Sequence, residues 1–355
     1  LKTVVIGLSG GVDSSVAAAL LIEKGYNVIG TTMKIWNEKY SPVNFKDACF
    51  SGNEKEDLEI IKQTVDLLKI PFHMIDLAGE YNDYIINYFK SEYHNGRTPN
   101  PCVVCNKNIK FNALLNNLKK TGVSFDYFAT GHYAKIEFDE TSSRYKLKKA
   151  LDLTKDQSYF LSMLSQEQLS KIIFPLSDLT KKKVREIAEN LKLPSSKKKE
   201  SQDFYSGEYT DLLEKKNVSK GLIKTEWGET LGEHKGIIYY TIGQRRGLGI
   251  SYNEPLYVTR IDKCANIIYV GKEGDLFKDE LYANNLNWIS IPYLESAMRI
   301  KCRIRYLHKE ADAIIKPYES GKIMVKFDTP QKSITPGQFA VFYDGDFALG
   351  AGVIL

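Results

Sequence analysis

The chain has 355 residues, 43% apolar and 26% charged, which fits a globular protein of two or three domains. No stretch of about eighteen apolar residues occurs, which argues against a membrane-spanning helix. The net charge of +5 permits a polyanionic partner without demanding one. The start, Leu1–Gly7, reads as a buried strand. Its apolar run is too short for a signal peptide and no small-residue cleavage site follows, so a cytoplasmic location is expected.

In chain order, Val4–Leu8 reads as a strand, Ser14–Lys24 as a helix and Asn27–Met33 as a strand. Glu54–Leu68 reads as a helix with Leu58, Ile61, Val65 and Leu68 on one face, Pro71–Leu77 as a strand, Tyr81–Tyr93 as an aromatic-rich helix and Phe125–Thr130 as a strand. Alternating strands and helices predict a doubly wound α/β parallel sheet covered on both faces. Thr180–Leu191 reads as a helix capped by Thr180, and Pro194–Gly207 as a loop and boundary. After a mixed, Gly-rich stretch come short strand-like runs at Leu286–Ile291, Met298–Tyr306, Ala311–Ile315, Lys322–Phe327 and Gln338–Asp344, the pattern of a small β-barrel. The expected domains are 1–207, a central domain at 208–275 and a C-terminal barrel at 276–355.

Two local patterns carry chemistry. The first strand runs into Ser9-Gly10-Gly11-Val12-Asp13-Ser14 and then a helix. Glycines allow the tight turn and expose successive N–H groups, and the helix N-terminus adds positive partial charge. No Gly-Lys-Ser/Thr occurs, so this is not a Walker A loop. The second pattern is Gly96-Arg97-Thr98-Pro99-Asn100-Pro101-Cys102-Val103-Val104-Cys105-Asn106-Lys107. Five cysteines (Cys49, Cys102, Cys105, Cys264 and Cys302) are too few and odd in number for a disulfide scaffold. Cationic neighbours and a helix N-terminus favour a thiolate at the Cys-x-x-Cys pair. A structural zinc site would need four ligands, and no second Cys-x-x-Cys exists. Cys264 and Cys302 fall in strand-like runs and read as structural. The clusters Lys181-Lys182-Lys183, Lys197-Lys198-Lys199 and Arg245-Arg246 are solvated faces or polyanion contacts.

The Ser9–Ser14 string resembles the PP-loop of N-type ATP pyrophosphatases, which adenylate a substrate and release pyrophosphate. With the Cys-x-x-Cys stretch, Ala129-Thr130-Gly131-His132-Tyr133-Ala134, Lys155-Asp156-Gln157-Ser158-Tyr159-Phe160-Leu161, Tyr240–Gly249 and Thr335-Pro336-Gly337-Gln338, the whole chain is similar to the tRNA-specific 2-thiouridylases. That resemblance implies ATP and Mg2+ at Gly7, Leu8, Ser9, Gly10, Gly11, Asp13, Ser14, Met33 and Gly131, with Asp13 orienting metal or phosphate. It implies a nucleophile at Cys105 and RNA contacts at Asn100, His132, Lys155, Asp156, Gln157, Arg305, Tyr306 and Gln338. The implied reaction is thiolation of the wobble uridine in tRNAs for glutamate, glutamine and lysine. A monomer is expected, with a sulfur-donor protein or a sulfide source as partner.

The sequence departs from that family twice. Members commonly have aspartate where Cys102 stands. They also carry a second catalytic cysteine where this chain has Tyr205, which cannot hold a persulfide. Either Cys102 and Cys105 act as the pair, or Cys49, Cys102 and Cys105 hold a 4Fe-4S cluster with one iron open. Another PP-loop adenylating activity, such as an amidotransferase or a lysine-to-cytidine ligase, would not need the cysteines. A third alternative is an RNA-binding module with a degenerate nucleotide site.

Overall fold

The computed structural model describes residues 1–35, 54–198, 209–213 and 218–355. Cys49 and Tyr205 lie outside the described residues. The chain divides into two compact units, one of Leu1–Ile85, Cys102–Glu208 and Asp346–Ala348, the other of Ile86–Pro101, Tyr209–Gly345 and Leu349–Leu355.

The first unit holds strands β1 (Thr3–Gly7), β2 (Asn27–Lys34), β3 (Phe72–Asp76) and β4 (Tyr127–Ala129). After them come an antiparallel hairpin of β5 (Ala134–Asp139) and β6 (Arg144–Lys149), then β7 (Ile172–Ile173). Five of these strands form a sheet in the order β3-β2-β1-β4-β7, every pairing parallel. Val4, Val5 and Ile6 of β1 are all fully buried, so the strand is continuously apolar instead of alternating, as a sheet covered on both faces requires. The helix Val12–Glu23 is buried along most of its length. The helix Glu54–Leu68 contributes Ile61 and Val65 to the same core, and Lys181–Asn190 contributes Val184 and Ala188. Thr180 caps that last helix by accepting from the Lys183 N–H, as expected. The aromatic helix expected over 81–93 is instead Ala78–Tyr81, a π-turn Asn82–Ile86 and Asn87–His94.

In the second unit, β8 (Gly221–Thr225), β9 (Thr230–His234), β10 (Tyr257–Asp262) and β11 (Ile267–Gly271) form a sheet in the order β10-β11-β8-β9. Ile223, Val258, Ile268 and Val270 pack beneath it with Tyr240 and Leu248. Six further strands make the barrel: β12 (Phe277–Trp288), β13 (Met298–Arg303), β14 (Ala311–Pro317), β15 (Ile323–Lys332), β16 (Phe339–Asp344) and β17 (Phe347–Ile354). Their order is β12-β15-β14-β13-β16-β17, and β12 pairs back onto β17. Closure removes the exposed edges. Alternate positions such as Ile300, Cys302, Ala313, Ile315, Val325 and Phe327 fill the interior. Cys302 is therefore structural, as expected. Cys264 is not a strand residue. It stands exposed in the turn that joins β10 to β11.

Candidate active site

In the parallel sheet β2 lies on one side of β1 and β4 on the other. Such a reversal opens a crevice at the carboxyl ends of the two strands, where ligands bind. The two motif loops leave from there, Ser9–Ser14 after β1 and Thr130–His132 after β4. Gly10 has φ +72° and packs on Asp57, whose carbonyl oxygen would lie 3.0 Å from an added Cβ. A Cβ on Gly131 would stand 2.7 Å from both the carbonyl carbon of Asp13 and the nitrogen of Ser14. Both positions need glycine, one for its conformation and one because the two loops touch.

The helix Val12–Glu23 begins after Gly11, which is extended and provides no side-chain cap. The hydroxyls of Ser14 and Ser15 both donate back to the Gly11 carbonyl, at 3.2 and 3.0 Å. The helix start thus has no side-chain cap and has the helix dipole behind its first-turn N–H groups, the arrangement that holds phosphate. Leu8 is a core side chain that is 4% exposed, and its N–H donates to the Thr31 carbonyl, so Gly7 and Leu8 shape the loop from below. Met33 lies half-buried near the end of β2.

Lys181 is not part of a solvated face. Its side chain is buried, and its Nζ donates to both carboxylate oxygens of Asp13 at 2.7 Å. The Tyr133 hydroxyl donates to Asp13 Oδ1, also at 2.7 Å. The Asp13 expected to hold magnesium therefore already binds an ammonium group. A signal for Lys181 was present in the sequence: a lysine in the first turn of a capped helix opposes the helix dipole and calls for an anionic partner.

His132 places its Nδ1 2.7 Å from the Thr130 hydroxyl and its ring against Phe111 and Phe174. Burial, and then the nearby Lys110 ammonium, hold its pKa well below the usual histidine value, so the ring is neutral at physiological pH. Lys110 and Phe111 belong to the π-helix Asn106–Ala113. That element continues the short helix Pro101–Cys105, on which Cys102 is half-buried and Cys105 is 4% exposed. Positions three apart share a helix face. Two amides that the sequence reading missed hold the π-helix. Gln168 Nε2 donates to the carbonyls of Lys107 and Phe111 at 2.8 and 3.1 Å. Asn106 Nδ2 donates to the Phe160 carbonyl at 3.0 Å.

The remaining expected residues fall into two groups. Lys155 is half-buried in the loop ahead of Ser158. Asp156 beside it is 3% exposed, and its carboxylate accepts from the N–H groups of Ala150 and Ser158 and from the Ser158 hydroxyl. The carboxylate closes a turn. Gln157 Oε1 accepts from the Tyr133 N–H. In the second unit Asn100 meets Gln338, while Arg305 is exposed and Tyr306 half-buried in the turn after β13. Among the described residues no three His, Cys, Asp or Glu side chains gather as a metal group.

Known proteins agree with this architecture. Residues 2–205 match the family described as the tRNA methyl transferase HUP domain, residues 210–272 its PRC-barrel domain and residues 278–354 the aminomethyltransferase β-barrel domain. A tRNA-specific 2-thiouridylase MnmA 2 from Thermoanaerobacter sp. (strain X514) is 48% identical, over 99% of this chain and 97% of its own. The tRNA-specific 2-thiouridylase MnmA of Acetivibrio thermocellus is 45% identical over 99% of both chains. The chain belongs to the tRNA-specific 2-thiouridylase family. A solved 4-thiouridine synthetase–RNA complex with bound ATP is 18% identical, with a TM-score of 0.33 over 57% of this chain and 44% of that one.

Proposed function

We propose that this chain is an ATP-dependent tRNA uridine 2-sulfurtransferase of the cytoplasm, acting as a monomer on the wobble uridine of glutamate, glutamine and lysine tRNAs. The observation that carries the reading is the convergence, within one unit, of an uncapped glycine-loop helix, Gly131 against Asp13, and His132 packed on the π-helix that follows Cys105. Relatives named 2-thiouridylases along the whole chain support it.

ATP phosphates lie against the N–H groups of Gly10–Ser14, with the adenine toward Met33. The uridine, drawn out of its stack, is hydrogen-bonded by neutral His132. Its O2 attacks the α-phosphate, the bond to the β-phosphate breaks and pyrophosphate leaves. The N3 proton departs as the base becomes adenylated. Lys181 counters phosphate charge and keeps Asp13 in place. Magnesium accompanies the nucleotide. Asp13 as it stands is occupied by Lys181, so no step is assigned to a metal on Asp13.

A sulfur donor first loads Cys105 as a persulfide. Its terminal sulfur attacks C2, the C2–O bond breaks and AMP leaves. The Cys102 thiolate then attacks Cys105 Sγ, the persulfide bond breaks, the sulfur stays on C2 and N3 regains its proton. The resulting Cys102–Cys105 disulfide is reset by an external dithiol. Cys102 and Cys105, one helical turn apart, suit this exchange. They would equally supply two of three ligands to an iron–sulfur cluster that delivers sulfide, with Cys49 as the third.

The test is thiouridine formation and tRNA-dependent pyrophosphate release by anaerobically purified protein, with iron and sulfide assayed together. Cys105→Ser and Cys102→Ser should each lower thiolation at least roughly a thousandfold while pyrophosphate release persists. Full thiolation by the double variant would refute the reading and leave another adenylating activity. About four irons per chain, lost in Cys49→Ala, would replace the persulfide by the cluster.

A further inference from the structure

The helix that carries the cysteines changes its winding directly after Cys105. Pro101–Cys105 is α-helical, Asn106–Ala113 is a π-helix and Leu114–Lys120 is α-helical again. The Leu114 N–H accordingly reaches back five residues, to the Ile109 carbonyl. A π-turn places one extra residue in the helix, and such turns are rare and gather at functional sites. One residue is about 100° of helical rotation. The π-turn therefore sets the angle between the thiols of Cys102 and Cys105 before it and the Phe111 ring, which packs against Phe128, Phe174 and His132.

The wide turn is held from outside the helix by one side chain. Gln168 Nε2 donates to the carbonyls of Lys107 and Phe111 at 2.8 and 3.1 Å. These residues are four positions apart, the separation that an α-helical bond would join, and the amide bridges them. The amide is itself fixed in place. Its Oε1 accepts from the Ser165 N–H at 2.9 Å, and the Gln168 N–H donates to the Ser165 hydroxyl at 3.2 Å, a reciprocal cap on the four-residue helix Gln166–Leu169. Both N–H bonds and the oxygen of the Gln168 amide are thus engaged. Asn106, next to Cys105, ties the near end of the π-turn to the Phe160 carbonyl.

We propose that Gln168 is a positioning residue for thiolation. By bridging the carbonyls of Lys107 and Phe111 it holds the π-turn, and through the π-turn it fixes Cys105 relative to the His132 pocket. It acts through the helix and not on the substrate. The inference rests on the thiolation reading, but its structural half is measured without tRNA.

Gln168→Glu keeps the size and the acceptor for the Ser165 N–H, and turns an acceptor toward two carbonyl oxygens. Gln168→Met removes the bridge without adding charge and is read in the same way should Gln168→Glu fail to fold. Ser165→Ala weakens the cap and leaves the bridge. Small misplacements of reacting groups cost up to about a hundredfold. Both Gln168 variants should therefore lower kcat for thiolation by roughly ten- to a hundredfold, with the tRNA Kd within about twofold of the parent. Ser165→Ala should keep kcat within about threefold. The ring-proton NMR signal of His132, assigned by its loss in His132→Gln and sensitive to the Phe111 ring beside it, should move in the Gln168 variants and stay in place in Ser165→Ala. A retained kcat and an unmoved His132 signal in the Gln168 variants would overturn the proposal. Equal losses of kcat in Ser165→Ala and Gln168→Glu, with the signal unmoved in both, would also overturn it, because Gln168 would then serve only its own helix. If the parent protein makes no thiouridine, the functional reading fails, and the His132 signal alone then decides the positioning role.

Discussion

In the parallel-sheet unit the glycine loop Ser9–Ser14 leads into a helix N-terminus with no side-chain cap. In the barrel unit the glycine loop Thr335–Gln338 has its amide groups joined to a neighbouring turn. Both are short, glycine-bearing and members of motif strings, and both use glycine to let backbone approach backbone. They differ in where the donors point. The first leads into a helix start that has no side-chain cap and a helix dipole behind it. The second directs its donors at carbonyls the protein must satisfy anyway. A motif loop can therefore serve a ligand or serve the scaffold, and only the fate of its hydrogen-bonding groups separates the two.

The sharpest way to break this comparison is Lys181→Met. If Ser9–Ser14 serves phosphate, losing the ammonium beside it should reduce tRNA-dependent pyrophosphate release about a hundredfold, the cost of one pre-positioned cationic donor. The tRNA affinity should stay near the parent's. Lys181→Arg should recover part of the rate. If Lys181 only supports the fold, the loss would appear in the denaturant midpoint and not in kcat.

A smaller effect separates two adjacent residues. Lys155→Ala should weaken tRNA binding a few-fold and reduce the slope of log affinity against log salt by about one, as for a single phosphate contact. Asp156→Ala should leave that slope alone and destabilise the chain by about 1–3 kcal/mol, because buried N–H groups lose their acceptor. Equal salt slopes in the two variants would mean the loop does not distinguish an RNA-facing residue from a turn-closing one.

These residues also mark what could be read in the sequence. The parallel sheet was legible because β1 to β4 are apolar runs separated by helical periodicity, and the loop after β1 carries its glycines in one string. β7 was not, since two isoleucines inside Lys171–Leu176 look like any core segment. The hairpin of β5 and β6 was missed although lysines and acids alternate with apolar residues along β5, the pattern of a half-buried strand. The start of β12 was missed because register shifts at Lys278/Glu280 and Asn284/Asn287 break its alternation. At the site, residue identities within motifs were legible and their partners were not. Asp13 pairs with a lysine 168 positions away, and Gln338 with a turn 238 to 240 positions away. Long-range pairing leaves no local periodicity. The indirect trace was electrostatic, as with the lysine in the first turn of a helix.

The smallest expected effect compares the two units through their histidines. His132 in the parallel-sheet unit, and His234 and His308 in the other, all have pKa values lowered chiefly by burial. Lys110 adds to this at His132 and Arg305 at His308, while the Asn266 carbonyl partly offsets it at His234. Each is neutral when folded and takes up a proton near pH 6.5 when unfolded. Their contribution to stability is thus present above that pH and lost as pH falls, with a limiting slope of about 1.4 kcal/mol per pH unit for His132. Denaturant midpoints should fall between pH 7.5 and 5.5, and His132→Gln and His234→Gln should each flatten that fall. Thiolation should separate them. His132 stays neutral in the folded protein as pH drops, so the rate should show no limb near pH 6.5 that disappears in His132→Gln. Such a limb would mean that His132 titrates in the folded protein, and that the Phe111–Phe174 pocket does not hold it neutral.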